Sequence, residues 1–444
     1  MPSERKILFT TVFRKGKRYD YWGSNTPNRF LRYTYPRICS FGLRFIKRNI
    51  PQIEILEYPS WREYTEKIKK GNYDVVGFSF YINEVPDIIK MVEFARKHGV
   101  KEIWGGNYGV LTPGIEKYFD RVFVGYAERE IGKELGVEVN EIKHPPIINY
   151  SGTGLGLKAI AVGVIFTTRG CTIGCKFCQT PSFCGKVSKI PLESIEEVLW
   201  YYKSLGIREV VISDENFGLL RRHANDVVEL LEKYEILWTP MIRADFLLDN
   251  FETFDRKMMA GAFIGIESLD QRNLDFSEKR EKVSQAMDLL ERMNIRNKMV
   301  IGYYMIGFEN DTADSIRHQI EQLKTFNLDL YQICIVTPFP KTKLWDYIER
   351  NYGIFDYDWR HYDTKHLVWN HPNISKDEMH SLLKWAFRKV YSGRTFAKST
   401  MKFRRKYSGY FGFLGGLRYM AKSILFANRF DYIGMMDRGI EGIG

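Results

Sequence analysis

Between residues 159 and 337, six apolar runs of strand length recur, and each is separated from the next by a segment long enough for a helix. The runs cover residues 159–168, 209–213, 238–243, 262–267, 298–305 and 328–337; residues 192–205 and 223–233 are two of the helix-sized spacers. Parallel strands need a long crossover, usually helical, to bring the chain back to the same end of the sheet. Six such units in a row predict a partial (β/α)6 barrel of the TIM type, in which chemistry gathers where the strands end. The residues of unusual character fall at those ends. Three cysteines follow the first run and Asp214-Glu215-Asn216 the second, Arg243 and Asp245 follow the third, and Glu267 closes the fourth.

The chain before the barrel alternates in the same way. Residues 6–13, 53–57, 74–80, 102–104 and 122–124 read as strands with helical patterns between them, which predicts a Rossmann-like, doubly wound α/β domain over 1–150. His144-Pro145-Pro146, followed by Ser151-Gly152-Thr153-Gly154, reads as a linker. The barrel then occupies 151–345, and 346–444 reads as a helical, basic and aromatic C-terminal region. The net charge of +12 is uneven, with ten Lys or Arg against three Asp or Glu from Tyr391 onward. Such a tail attracts anionic lipid headgroups or nucleic acid, and a solvated charged face is the plainer alternative. No apolar stretch approaches the length of a spanning helix, and residues 7–13 are too short for a signal-peptide core. A cytoplasmic protein is expected, with peripheral membrane contact through its tail.

Six cysteines, four of them between 171 and 184, fit a metal or redox site better than a disulfide framework. Cys171, Cys175 and Cys178 have the spacing C-x3-C-x2-C, in a loop that Gly170 and Gly174 allow to turn tightly. A structural zinc site would call for a fourth Cys or His, and a cluster used only for electron transfer is held by four cysteines. Three thiolates on a compact loop leave one iron of a 4Fe–4S cluster open. Cys184 is either a fourth ligand or a plain loop thiol, and the completed trio favours the thiol. Cys39 and Cys334 read as buried apolar residues.

This spacing, directly after the first of six strands, resembles the radical S-adenosylmethionine (SAM) superfamily, and the resemblance extends from 159 to about 345. It implies that Cys171, Cys175 and Cys178 hold a 4Fe–4S cluster, that SAM chelates the open iron, and that reductive cleavage of SAM yields a 5′-deoxyadenosyl radical. It also implies SAM contacts at the strand ends. Asp214 and Glu215 stand where the family's second-strand motif binds the amino group, although Ser213-Asp214-Glu215-Asn216 is not the common Gly-Gly-Glu, so either acid is a candidate. Glu267 and Ser268 match the fourth-strand motif, and Arg243 is placed to pair with a carboxylate. For two of these residues plainer roles stand beside the functional ones: Asp214 as a helix cap and Arg243 as a structural ion pair. Met305-Ile306-Gly307 matches the fifth-strand glycine motif, and Thr337-Pro338-Phe339-Pro340-Lys341 matches the sixth-strand turn, with Lys341 where Gly is usual.

The N-terminal block resembles the cobalamin-binding domains fused ahead of many enzymes of this superfamily. Ser79, then Gly105 and Gly106 at the next strand end, then Gly125, carry the likeness. The Asp-x-His-x-x-Gly motif of many cobalamin domains is absent, and residues 33–39 contain no histidine, so no histidine should ligate cobalt from below. A Rossmann-like domain that only shapes the active site is the alternative. Trp359 to His366 resembles the region that closes the barrel mouth in the fused enzymes, with His361 and His366 as polar contacts. The function these likenesses imply is cobalamin-dependent C-methylation of a small-molecule or lipid substrate, with flavodoxin or ferredoxin as reductant. The alternatives are radical carbon–carbon bond formation or cyclisation on a lipid-like substrate and, from another class, a nucleic-acid-binding iron–sulfur protein, which would leave the six-strand pattern unexplained.

Overall fold

The computed structural model describes residues 5–13, 36–37, 39–153 and 157–390. Two parallel sheets organise them. The first contains β1 (Ile7–Thr11), β3 (Glu54–Leu56), β4 (Val75–Ser79), β5 (Glu102–Gly106) and β6 (Arg121–Val122), in the order β3-β1-β4-β5-β6. Every pairing in it is parallel. Counted within this domain, that is the 2-1-3-4-5 order of flavodoxin-like folds, whose ligand crevice opens at the strand C-termini where the order reverses, here between β1 and β4. The continuous apolar runs follow from burial on both faces. Leu8, Val76 and Phe78 pack with Tyr64 and Ile88 on one side, and Ile7, Phe9 and Val75 pack with Leu43 and Ile131 on the other.

The second sheet has six parallel strands in sequence order: β8 (Leu157–Ile165), β11 (Glu209–Ile212), β12 (Leu237–Arg243), β13 (Gly261–Glu267), β14 (Met299–Ile306) and β15 (Leu330–Ile335). Along β13 and β14, fully buried residues alternate with half-exposed ones. The first set faces the helices; the second, with Phe263, Tyr303 and Met305, lines an accessible lumen. A TIM barrel interior is ordinarily filled by side chains; here Phe263, Tyr303 and Met305 keep part of their surface accessible.

The linker expected around 144–154 is corrected. Residues Ile147–Thr153 form β7, antiparallel to β8, and β7 in turn pairs with β2 (Pro36–Arg37). The Pro and Gly signals mark the ends of this strand, where a hairpin and a linker look alike. The fully buried Tyr202 hydroxyl ties the pair together: it receives the Ile147 N–H at 2.8 Å and lies 2.7 and 2.9 Å from the Ile147 and Val164 carbonyls. A small ladder, β9 (Thr168–Arg169) with β10 (Ser188–Lys189), brackets the cysteine loop and closes its base.

The described part of the C-terminal region packs on the barrel. Helix Lys376–Val390 lies against β15 and helix Ala313–Thr325, and the turn Trp359–His361 rests on Ile82–Glu84 of the first domain. The basic tail from Tyr391 onward, with the membrane-contact expectation attached to it, lies outside the described residues. Among the described residues no helix is long and apolar enough to cross a membrane.

His144, read as part of the linker, is fully buried. Its Nε2 accepts the Phe166 N–H at 2.9 Å and its Nδ1 faces the Pro145 carbonyl at 2.6 Å, which fixes a neutral tautomer. Burial pulls its pKa down from 6.5 to about 3. Between those values the unfolded chain binds a proton that the folded chain refuses, so stability falls as pH drops below 6.5, by about 1.4 kcal/mol per pH unit. Asp214, raised to about 6, opposes this below pH 6, so the test is a difference: in urea melts from pH 7 to 5 the wild type is expected to lose more stability than His144→Gln, by up to about 1.4 kcal/mol per pH unit.

Candidate active site

The cysteine loop leaves the C-terminal end of β8. Gly170 and Gly174 take positive φ of 85° and 79°, and the position where a Cβ on Gly170 would sit is occupied by the Lys186 carbonyl. Cys171, Cys175 and Cys178 are all partly exposed. Their thiols feel one another, Cys178 coupling to Cys171 and Cys175 to Cys178, and burial pushes all three up, Cys175 to about 11. The Arg243 guanidinium, with Nη1 at 3.9 Å from Cys175 Sγ, pulls the other way. Among the described residues no three Cys, His, Asp or Glu side chains converge closely enough for a single ion. A tetrahedral zinc would need sulfurs about 3.8 Å apart, whereas a cubane, with its metals at the corners, holds its thiolates farther apart. The loop, with three thiols and open space beside Gly174, has the donor set of a cluster that keeps one metal position open. Cys184 keeps to the loop, with Sγ 3.3 Å from the Lys186 carbonyl.

The loop is pinned on the barrel side as well. Lys176 N–H donates to Ser277 O at 2.8 Å and Leu344 N–H donates to Lys176 O at 2.9 Å. Gln179 Nε2 donates to Pro340 O at 2.9 Å, and the Ser182 hydroxyl donates to Lys341 O.

The two neighbouring acids have different fates. Asp214 is fully buried, and its carboxylate collects the backbone and hydroxyl donors of Thr167 and Thr168. Burial lifts its pKa to about 6 against those four donors. It is a clamp for the exit of β8, with its acceptor sites taken. Glu215 accepts the Gly170 N–H at 3.0 Å and the Tyr126 hydroxyl, so it stands at the loop itself. Arg243 makes a bidentate pair with Asp245, at 3.0 and 2.8 Å, within a network that sequence inspection missed. In that network Lys279 is buried between Glu267 (3.3 Å) and Glu281 (2.8 Å) and donates to the Gly265 carbonyl. Glu267 has φ 61° at a break in register between β13 and β14. Ser268 is buried and donates to Gln319 at 3.0 Å. Nothing local in the sequence ties Lys279 to residues twelve or more positions away.

On the first domain, Ser79 and Gly106 are paired across the C-terminal edges of β4 and β5, and Asn107 Nδ2 donates to Ser79 Oγ at 3.3 Å. A Cβ on Gly106 would meet nothing closer than 3.9 Å, whereas one on Gly105 would press on the Phe119 ring at 3.0 Å. Gly105 therefore serves packing. Gly125, with φ 93°, makes room for the Phe183 carbonyl of the cysteine loop. His361 and His366 lie with ring centres 4.6 Å apart and planes tilted by 32°, each with Nδ1 against an aspartate, Asp356 and Asp363.

Residues 165–337 match the model of the Radical SAM superfamily. The chain carries a radical SAM domain. It is 27% identical over 382 residues to an uncharacterized methyltransferase of Pyrococcus horikoshii, across 73% of this chain and 80% of that protein. It is 25% identical to the bacteriochlorophyllide d C-8(2)-methyltransferase of Chlorobaculum tepidum, across 67% and 73%. In fold it is similar to TsrM of Kitasatospora setae, solved with cobalamin and a 4Fe–4S cluster bound (TM-score 0.65, 11% identity, 96% of this chain and 99% of that one). It is also similar to the cobalamin-dependent enzyme OxsB (TM-score 0.59, 12% identity, 96% and 72%). Within the radical SAM domain, Lys341 has φ 63°, the left-handed conformation that glycine adopts at no cost; this accounts for the glycine usual at that turn.

Asp214→Ala would strand two backbone and two hydroxyl donors in the core of this domain. A loss of at least about 3 kcal/mol in urea unfolding is expected before any metal is added. A variant as stable as wild type would return Asp214 to the ligand-binding candidates.

Proposed function

We propose that this chain is a cobalamin-dependent radical SAM enzyme that transfers a methyl group to an unactivated carbon of a small-molecule substrate. The observation that carries the proposal is the three-thiol loop at the C-terminal end of β8, set against the strand-end edge of a flavodoxin-like sheet. Likeness to a bacteriochlorophyllide methyltransferase and to the fold of a protein that binds cobalamin and a 4Fe–4S cluster supports it. Cys171, Cys175 and Cys178 would hold the cluster, which supplies the electron that cleaves SAM. Ser79 and Gly106 border the crevice between the sheets where cobalamin, the methyl carrier, would lie.

The chain's own groups do the rest by position and charge. Arg243 and Lys279 act on Cys175 and offset negative charge there, against Glu267. Glu215 holds the Gly170 amide, and with it the start of the loop, in place. The lumen side chains Phe263, Tyr303 and Met305 offer an apolar surface to a carbon skeleton and keep water from a reactive carbon centre. A flavodoxin or ferredoxin is the proposed reductant. Ring closure is the second reading, supported by 21% identity over 251 residues to the anaerobic magnesium-protoporphyrin IX monomethyl ester cyclase of Rubrivivax gelatinosus. The tail beyond residue 390, on which the nucleic-acid and membrane expectations rest, lies outside the described residues.

Protein purified without air and supplied with cobalamin is expected to contain iron, sulfide and cobalt. Given methyl-labelled SAM, a reductant and substrate, it should pass label to product. Unlabelled product with a new ring would favour cyclisation, and intact SAM under reducing conditions would reject both. Cys171→Ser, Cys175→Ser and Cys178→Ser should each lose the cluster absorption, and Cys184→Ser should keep it.

A further inference from the structure

We propose that the N-terminal domain completes the cluster's binding site, with Glu128, Tyr126 and Tyr108 acting as positioning residues that hold the cysteine loop in shape. The inference rests on the reading of Cys171, Cys175 and Cys178 as cluster ligands and goes beyond it, because these three residues belong to the other sheet and touch no thiol.

Both ends of the loop are held from that sheet. Two residues before the first cysteine, Arg169 makes two bonds to Glu128, at 3.0 and 2.9 Å. Both side chains are only 4% exposed. The guanidinium is sandwiched 4.0 Å from the Phe45 ring centre and 4.4 Å from that of Tyr126. The next residue, Gly170, gives its N–H to Glu215, whose other oxygen receives the Tyr126 hydroxyl. Beyond the last cysteine, the Tyr108 ring stacks on Phe183 at 4.2 Å and 21°, and its hydroxyl lies 3.1 Å from Thr180 Oγ1. Thr180 in turn directs its N–H at Cys178 Sγ, 3.4 Å away.

A buried ion pair is a poor source of net stability and a good source of fixed geometry. Arg169 is a costly case, since its buried Nε has no hydrogen-bond partner. An apolar pair would join the two domains at least as well. What the charged pair adds is direction: two parallel bonds fix the guanidinium plane, and with it the backbone two residues before Cys171. Asn107 extends the linkage to the crevice, bonding to Ser79 Oγ on one side and to the Tyr108 N–H on the other.

The test uses the full chain reconstituted with iron and sulfide without air, and reads iron loss to a bipyridyl chelator, the electron paramagnetic resonance of the reduced cluster, and the urea midpoint. Glu128→Gln is expected to release iron about tenfold faster than wild type, the usual scale for groups that orient metal ligands, and to broaden the resonance. Arg169→Lys, which keeps the charge and loses the fork, should fall between them. Tyr108→Phe removes only the hydroxyl contact to Thr180 and should speed release by a smaller factor. It carries the test if far-ultraviolet circular dichroism shows Glu128→Gln unfolded. Folded variants that lower the urea midpoint yet release iron at the wild-type rate with an unchanged resonance would overturn the inference, leaving the pair as domain glue. A wild-type chain that takes up no cluster would instead overturn the underlying reading.

Discussion

One buried carboxylate decides where the cysteine loop begins. Asp214, at the end of β11, gathers four donors from Thr167 and Thr168 at the exit of β8. A carboxylate taken out of water needs that many partners, and the donors would be stranded without it. The bargain holds only if β8 and β11 are in register, so the loop's origin is fixed by the same parallel pairing that builds the barrel. From there the β9–β10 ladder closes the base of the loop. The three thiols thus project from a frame rather than from a free coil.

The frame also explains why the two sheets present their strand C-termini to a common space. Flavodoxin-like sheets and (β/α) barrels both place ligands at that end. Joining them edge to edge through Arg169–Glu128, Tyr126–Glu215 and Tyr108–Phe183 puts the loops after β5 and β6 against the loop after β8. The turn Trp359–His361 then covers the first domain's strand-end helix Ile82–Glu84 from the C-terminal side. On the first domain the contacts come from Tyr108, Tyr126 and Glu128, in the segments that follow β5 and β6, where the side chains need not serve a sheet core.

The strands were legible because burial on both faces writes itself as apolar runs, and the cysteines because their spacing is local. What was not legible depended on partners distant in sequence. Asp214 and Glu215 look interchangeable in the sequence, but in the turn after β11 one enters the seam between β8 and β11 and the other faces Tyr126. Gly105 and Gly125 read as room for a ligand and turned out to accommodate Phe119 and the Phe183 carbonyl. A glycine signals a close approach without naming what approaches. Lys279 and Glu128 carried no signal at all, since an ion pair across twelve or forty-one positions has no periodicity. The residues around 147–153 misled because proline and glycine punctuate the ends of a strand as they punctuate a linker.

The charges around the loop follow from its chemistry. Metal ligation needs thiolates, yet burial alone holds these three thiols protonated, Cys175 most clearly. Three thiolates in a partly buried loop would repel one another, as their mutual coupling already indicates. Two cations answer that charge from the barrel side. Arg243 reaches Cys175 directly, while Lys279, fully buried, acts on the same thiol from behind Glu267 and Glu281. Neither cation is free to swing, because Asp245 and Glu281 hold them in place. Their field is therefore fixed before any metal arrives, and an ion or cluster entering the loop meets a site whose electrostatics need little rearrangement.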